Sequence, residues 1–98
     1  MDFEWDEAKN QSNINKHLIS FEEAQTIFEG EVLTVADDRF HYAEERYMSF
    51  GELVLADGSL VIAVVHTERG ERTRLISARK ASRRERRQHD EYIHRRPA

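Results

Sequence analysis

Apolar residues before Gly30 recur at helical spacing, and those after it alternate or cluster as they do in strands. Asp6 can cap a helix over residues 6–17, with Asp6 and Glu7 at its positive end and Lys16 and His17 at its negative end. The apolar content of that helix is thin, limited to Trp5, Ala8, Ile14 and Leu18. Ser20 and Glu23 form an S-x-x-E capping box that opens a second helix reaching Glu29. Phe21, Ala24, Ile27 and Phe28 share one face of it, and Gly30 is its expected stop. The two helices are expected to form an αα-hairpin.

Beyond Gly30 the pattern predicts strands over residues 32–35, 46–56, 60–65 and 72–79, with a polar loop over 37–45. Gly51 is read as a bulge within the second strand. Asp57-Gly58 is a hairpin turn between two apolar runs, and residues 68–71, containing Gly70, form another. The run 60–65 is apolar on both faces, as a central strand would be. A second capping box, Ser82 to Glu85, opens a final helix. The expected fold is therefore α+β: two N-terminal helices, a central antiparallel sheet of three to four strands and a C-terminal helix. The expected core is Trp5, Phe21, Phe28, Leu53, Leu55, Ile62, Val64 and Ile76. The final helix offers only Tyr92 and Ile93 as sizeable apolar residues, so a partner is one way to complete its packing. The last three or four residues are expected to fray.

Length and composition narrow the classes. The 98 residues suffice for a single domain, 1–98. Absence of cysteine removes disulfides and thiolate metal sites and fits a cytoplasmic setting. The longest apolar run, six residues from Leu60 to Val65, is far short of a membrane span, and MDFEWDE is unlike a signal peptide. His89 and His94 are five apart, with no His-x₃-His pair, so neither a metal site nor a cofactor is expected.

Charge changes the picture more. The net charge is −4, yet residues 1–45 hold twelve Asp and Glu against three Lys and Arg, and residues 46–98 hold twelve Lys and Arg against seven acids. Eight of the sixteen residues in RTRLISARKASRRERR, 72–87, are basic. Basic side chains at a strand end and on the following helix mark a phosphate-binding surface or a docking site for an acidic protein.

Strict alternation along residues 72–80 puts Arg74, Ile76 and Lys80 on one face and Arg79 on the other. A turn at 68–71 places Thr67 opposite Arg72 and Val65 opposite Arg74, which brings His66, Glu68 and Arg69 near Arg72 and Arg74. Such a group could cleave RNA without metal. One side chain would accept the 2′-hydroxyl proton, a cation would stabilise the phosphorane, and another group would protonate the leaving oxygen. Spacing alone favours a plainer arrangement, with His66 a strand-end histidine and Glu68/Arg69 a turn ion pair. Tyr92 could stack on a base or simply anchor the helix. The functional alternative to a ribonuclease is a noncatalytic module whose basic surface docks protein or nucleic acid.

Four segments in order, FEWDEAKNQSNINKH, FEEAQTIF, VVHTERG and RLISARKAS, resemble the BrnT family of type II toxin–antitoxin toxins over nearly the whole chain. The resemblance implies a RelE-like fold and a ribonuclease that halts translation. It implies neutralisation by BrnA, a ribbon-helix-helix antitoxin, in a hetero-oligomer that represses its own operon, so that operator DNA is contacted only through the complex. The positions it matches are Glu68, Arg69, Arg74, Arg79, Lys80 and Tyr92. Taken with the basic segment and the hairpin spacing, the expected catalytic set is His66, Glu68, Arg69, Arg79 and Lys80, with RNA binding by Arg72, Arg74, Arg83 and Tyr92. Leu18 stands where the family often has glycine, after Lys16-His17.

Overall fold

The computed structural model describes residues 1–39 and 43–95. The predicted 37–45 loop and the predicted frayed C-terminal end lie partly outside them. The helices begin where their capping residues place them. Asp6 caps α1 (Glu7–His17), its carboxylate accepting from the Ala8 and Lys9 amides. Ser20 caps α2 (Phe21–Ala24) and Ser82 caps α3 (Arg83–His94), each in a complete capping box. The second predicted helix is shorter than expected. It tightens after Ala24 into a 3-10 segment, Gln25–Glu29.

The sheet has five strands, where three to four were expected, and it is mixed, where an antiparallel sheet was expected. The additional strand is β1 (Asp2–Glu4), which runs parallel to β5. Three residues are too short to show a period, so the sequence pattern carried no signal for it. The others are β2 (Leu33–Ala36), β3 (Tyr47–Leu55), β4 (Gly58–Arg69) and β5 (Arg72–Lys80), in the order β1-β5-β4-β3-β2. As expected, β4 is central. Gly70, at φ 64°, opens a two-residue turn into β5. The earlier hairpin turns at Ala56-Asp57, one residue before the expected dipeptide, because Leu55 already pairs with Gly58.

Two apolar layers sandwich the sheet. Ile19, Phe21, Ala24 and Ile27 pack on Leu53, Ile62, Val64, Leu75 and Ala78 on one face. Met48, Phe50, Ala63 and Val65 form the other, with Ile76 partly buried against them and α3 lying across β2 and β3. Of the expected core, Leu55 is not buried. It sits at the hairpin end, 39% exposed. Gly51 makes no bulge. A β-carbon there would lie 2.8 Å from Ile27 Cβ and 2.9 Å from Val32 Cγ1, so glycine lets the 3-10 segment approach the sheet. The irregularity lies in β5. Val65 pairs with Ser77 and His66 with Leu75, leaving Ile76 as the extra residue of a β-bulge.

Candidate nucleic-acid interface

The bulge decides which cations meet. Strict alternation would put Arg79 opposite Arg74, but one inserted residue reverses every side chain beyond it. Arg79 therefore pairs with Ala63 and shares the α3-side face with Arg74, whose partner is Thr67. Lys80, paired with Ile62, points to the face covered by α1 and α2. The expected grouping of Arg74 with Lys80 is thus corrected. So is the hairpin register: Thr67 faces Arg74, and Arg72 faces Arg69. The result is a row of four arginines, Arg69, Arg72, Arg74 and Arg79, on one face of the β4–β5 ladder.

Carboxylates hold three of them. Arg74 Nη1 donates to Glu4 at 2.8 Å across the parallel β1–β5 pair. Arg69 Nε donates to Glu44 at 3.3 Å. The Arg79 guanidinium grips Glu85 with both terminal nitrogens, at 2.7 and 2.9 Å. Glu85 also closes the α3 capping box, so a single carboxylate ties the end of β5 to the start of α3. The Arg79 hydrogen bonds hold the Glu85 carboxyl down at about 2, and Glu85 in turn pushes the guanidinium further up. Arg72 and Arg83 are exposed and have no ion partner among the described residues.

His66 and Glu68 lie on the opposite face, beside Tyr47, Phe28 and Thr73. His66 is 5% exposed. Its Nε2 is 2.8 Å from Ser49 Oγ, which is 2.7 Å from Thr34 Oγ1, a chain of hydroxyls running out to the edge strand. Its Nδ1 is shielded from solvent and has no hydrogen-bond partner among the described residues. Phe28 meets the ring edge-on at 5.3 Å and Tyr47 lies at 5.9 Å. Burial lowers the His66 pKa, with Glu68 opposing. The ring is thus enclosed by aromatic side chains on the sheet face opposite the arginine row. Glu68 is exposed and accepts weakly from Thr73 Oγ1. Lys80 lies on the Glu68 side of the sheet but six residues along the ladder, about 20 Å at ordinary strand rise. The five catalytic candidates therefore fall into Arg69 and Arg79 on one face, six residues apart along β4, and His66 and Glu68 on the other, with Lys80 at its far end beside Arg79. Tyr92 turns toward β2, where it lines a groove with Leu33 and Val35, away from the hairpin end that carries Arg69 and Arg72.

Sequence reasoning missed the acidic partners Glu4 and Glu44, which only the tertiary contacts bring to the row. It did quote Glu85 and Ser82, as a helix cap, and their local spacing was the available signal. Among the described residues, no three His, Asp or Glu side chains are grouped as metal ligands. No helix among them is long and apolar enough to cross a membrane.

A small helix-flanked sheet with arginines lined along one strand pair places the chain among α+β proteins with a cationic sheet face. The family comparison is specific. Residues 5–85 match the model of the ribonuclease toxin BrnT of type II toxin–antitoxin systems, and the chain belongs to that family. It is thus a BrnT-family ribonuclease toxin, which implies a cognate antitoxin. No curated protein matches the chain.

Proposed function

We propose that this toxin, acting in the cytoplasm on a RelE-like scaffold, cleaves RNA without a metal ion and so stops translation, and that RNA lies along the Arg69–Arg72–Arg74–Arg79 row. The observation that carries this reading is the register shift at Val65/His66, which gathers the four arginines onto one face. Guanidinium groups suit phosphate because their planar fork matches two oxygens and stays charged. In the reaction the 2′-oxygen attacks phosphorus, the bond to the 5′-oxygen breaks, and a 2′,3′-cyclic phosphate and a 5′-hydroxyl result. The arginines stabilise charge on the phosphorane, and Glu4 and Glu44 are the carboxylates available beside the row to move the proton. Arg79 serves this face from a fixed position, since binding phosphate through its fork would displace Glu85. Arg83 extends the basic surface onto α3.

The partner in this reading is a BrnA-type, ribbon-helix-helix antitoxin that forms a hetero-oligomer and alone contacts operator DNA. The noncatalytic alternative draws on one fact: three of the four arginines already hold carboxylates. One assay separates the two. Purified protein is incubated with RNA in excess EDTA, and the ends of the products are analysed. Cyclic phosphate ends, lost by about tenfold or more in Arg72→Ala and Arg74→Ala, support the ribonuclease face. Equal loss in Lys80→Ala alone moves the site to the opposite face. RNA binding without cleavage supports the docking module.

A further inference from the structure

A second surface lies on the same side of the sheet as the arginine row, at its β2 edge along α3. β2 is an edge strand, and its outer side meets no other strand among the described residues. The Asp37 amide donates to Arg46 O, which makes Asp37 a hydrogen-bonded pair with its β3 partner. By antiparallel alternation Leu33 and Val35 also spend their backbone groups on β3, and Thr34 and Ala36 turn theirs outward. Alongside this edge, α3 leaves two grooves of about 380 and 250 Å³, which share Val35 and Gln88. Val35 is 42% exposed and Tyr92 44%, two large apolar groups facing each other across the smaller groove. Arg84 and Arg95 rim the grooves without ion partners among the described residues, against only Glu91 as an unpaired acid there.

An open backbone edge, an apolar slot and a cationic rim together specify one kind of occupant. The geometry points to the cleft between β2 and α3 as the seat of the cognate antitoxin, which lays an extended segment against β2, with an apolar side chain between Val35 and Tyr92 and Asp or Glu side chains toward Arg84 and Arg95. The assignment rests on the type II toxin–antitoxin reading, and it puts the antitoxin seat at the β2 edge of the sheet face whose β4–β5 ladder carries the arginine row. It also accounts for α3, whose apolar face is too narrow to seal its own contact with the sheet. Charge favours this occupant over RNA, because the slot is apolar at its centre, where a nucleic acid would need continuous cationic contact.

The test uses the full chain co-purified with a BrnA-type ribbon-helix-helix antitoxin. Val35→Glu puts a carboxylate where the antitoxin's apolar side chain would sit, near its acidic groups, and is expected to weaken the complex by about 30-fold or more, since central apolar anchors dominate interfaces. Val35 is half exposed, and a thermal melt of the variant verifies that it folds. The wild-type complex gives an independent readout by hydrogen exchange: the Thr34 and Ala36 amides slow on binding. A complex of unchanged affinity in the variant, with no slowing at those amides, overturns the assignment and leaves the toxin reading intact. A free wild-type dimer that Val35→Glu dissociates overturns it in favour of a second copy at this edge. If the wild-type chain captures no antitoxin at all, the toxin–antitoxin reading itself fails, and the assignment fails with it.

Discussion

The carboxamide of Asn13 hydrogen bonds to both backbone groups of Ala78. Its Nδ2 donates to Ala78 O at 2.8 Å, and its Oδ1 accepts from Ala78 N at 3.1 Å. β1 pairs only with residues 72–74, so the outer edge of β5 is open at Ala78, and a helix side chain takes the place of a neighbouring strand. The same Nδ2 donates to Ile19 O, and Asn10 holds the Phe21 amide and Glu22. These polar staples, more than apolar area, dock α1. Asn13→Ala removes this partner from three buried backbone groups, Ala78 N, Ala78 O and Ile19 O, and should cost about 2–4 kcal/mol in a urea melt. A loss below about 0.5 kcal/mol would mean that water replaces the side chain freely.

Two backbone positions should respond in opposite directions. Gly51→Ala drives a methyl into Ile27 and Val32 and should destabilise by about 1–3 kcal/mol. Leu18 ends α1 in the left-handed region, at φ 62°, and is 84% exposed. Leu18→Gly removes that strain at no packing cost and should stabilise by about 0.5–1 kcal/mol. Thermal melts of the two variants against the parent check both signs.

Acid should weaken the fold in two stages. The folded His66 has its pKa lowered from 6.5, so the unfolded chain binds its proton first and stability falls as pH drops below 6.5. The Glu85 carboxyl is lowered from 4.5 to about 2, so its contribution is whole above 4.5 and is lost as pH falls toward about 2. That second loss should be roughly 1–3 kcal/mol for a partly exposed pair. Denaturant melts across this range should lack the upper stage in His66→Gln and show a smaller lower stage in Glu85→Gln, where Asp37, held down by Arg39, keeps the remainder. A melt that shows both stages at full size in both variants assigns the acid response to other groups.

Ile62 is fully buried at the centre of β4, between Gly51 and Lys80 on the neighbouring strands. Ile62→Ala should cost about 2–5 kcal/mol by chemical denaturation, as a cavity in a close-packed core does. A cost under about 1 kcal/mol would show that the layer above it collapses to refill the space.

The amino-acid sequence by itself determined the helix starts at Asp6, Ser20 and Ser82, the turn at Gly70, the central place of β4 and the family. Caps and turns are decided within three or four residues, by a side chain reaching a nearby amide or by a backbone angle only glycine takes easily, so they can be read locally. Tertiary structure alone decided the rest. No glycine or proline marks the bulge at Ile76. It exists only in the pairing of β5 with β4, and it exchanged the faces of Arg79 and Lys80. The burial of His66 depends on Phe28 and Tyr47 closing over it from other elements, and β1 forms only because β5 offers it an edge. The cations were legible as residues. Which of them stand together was not, because the face of a strand residue is a property of the ladder and not of the chain.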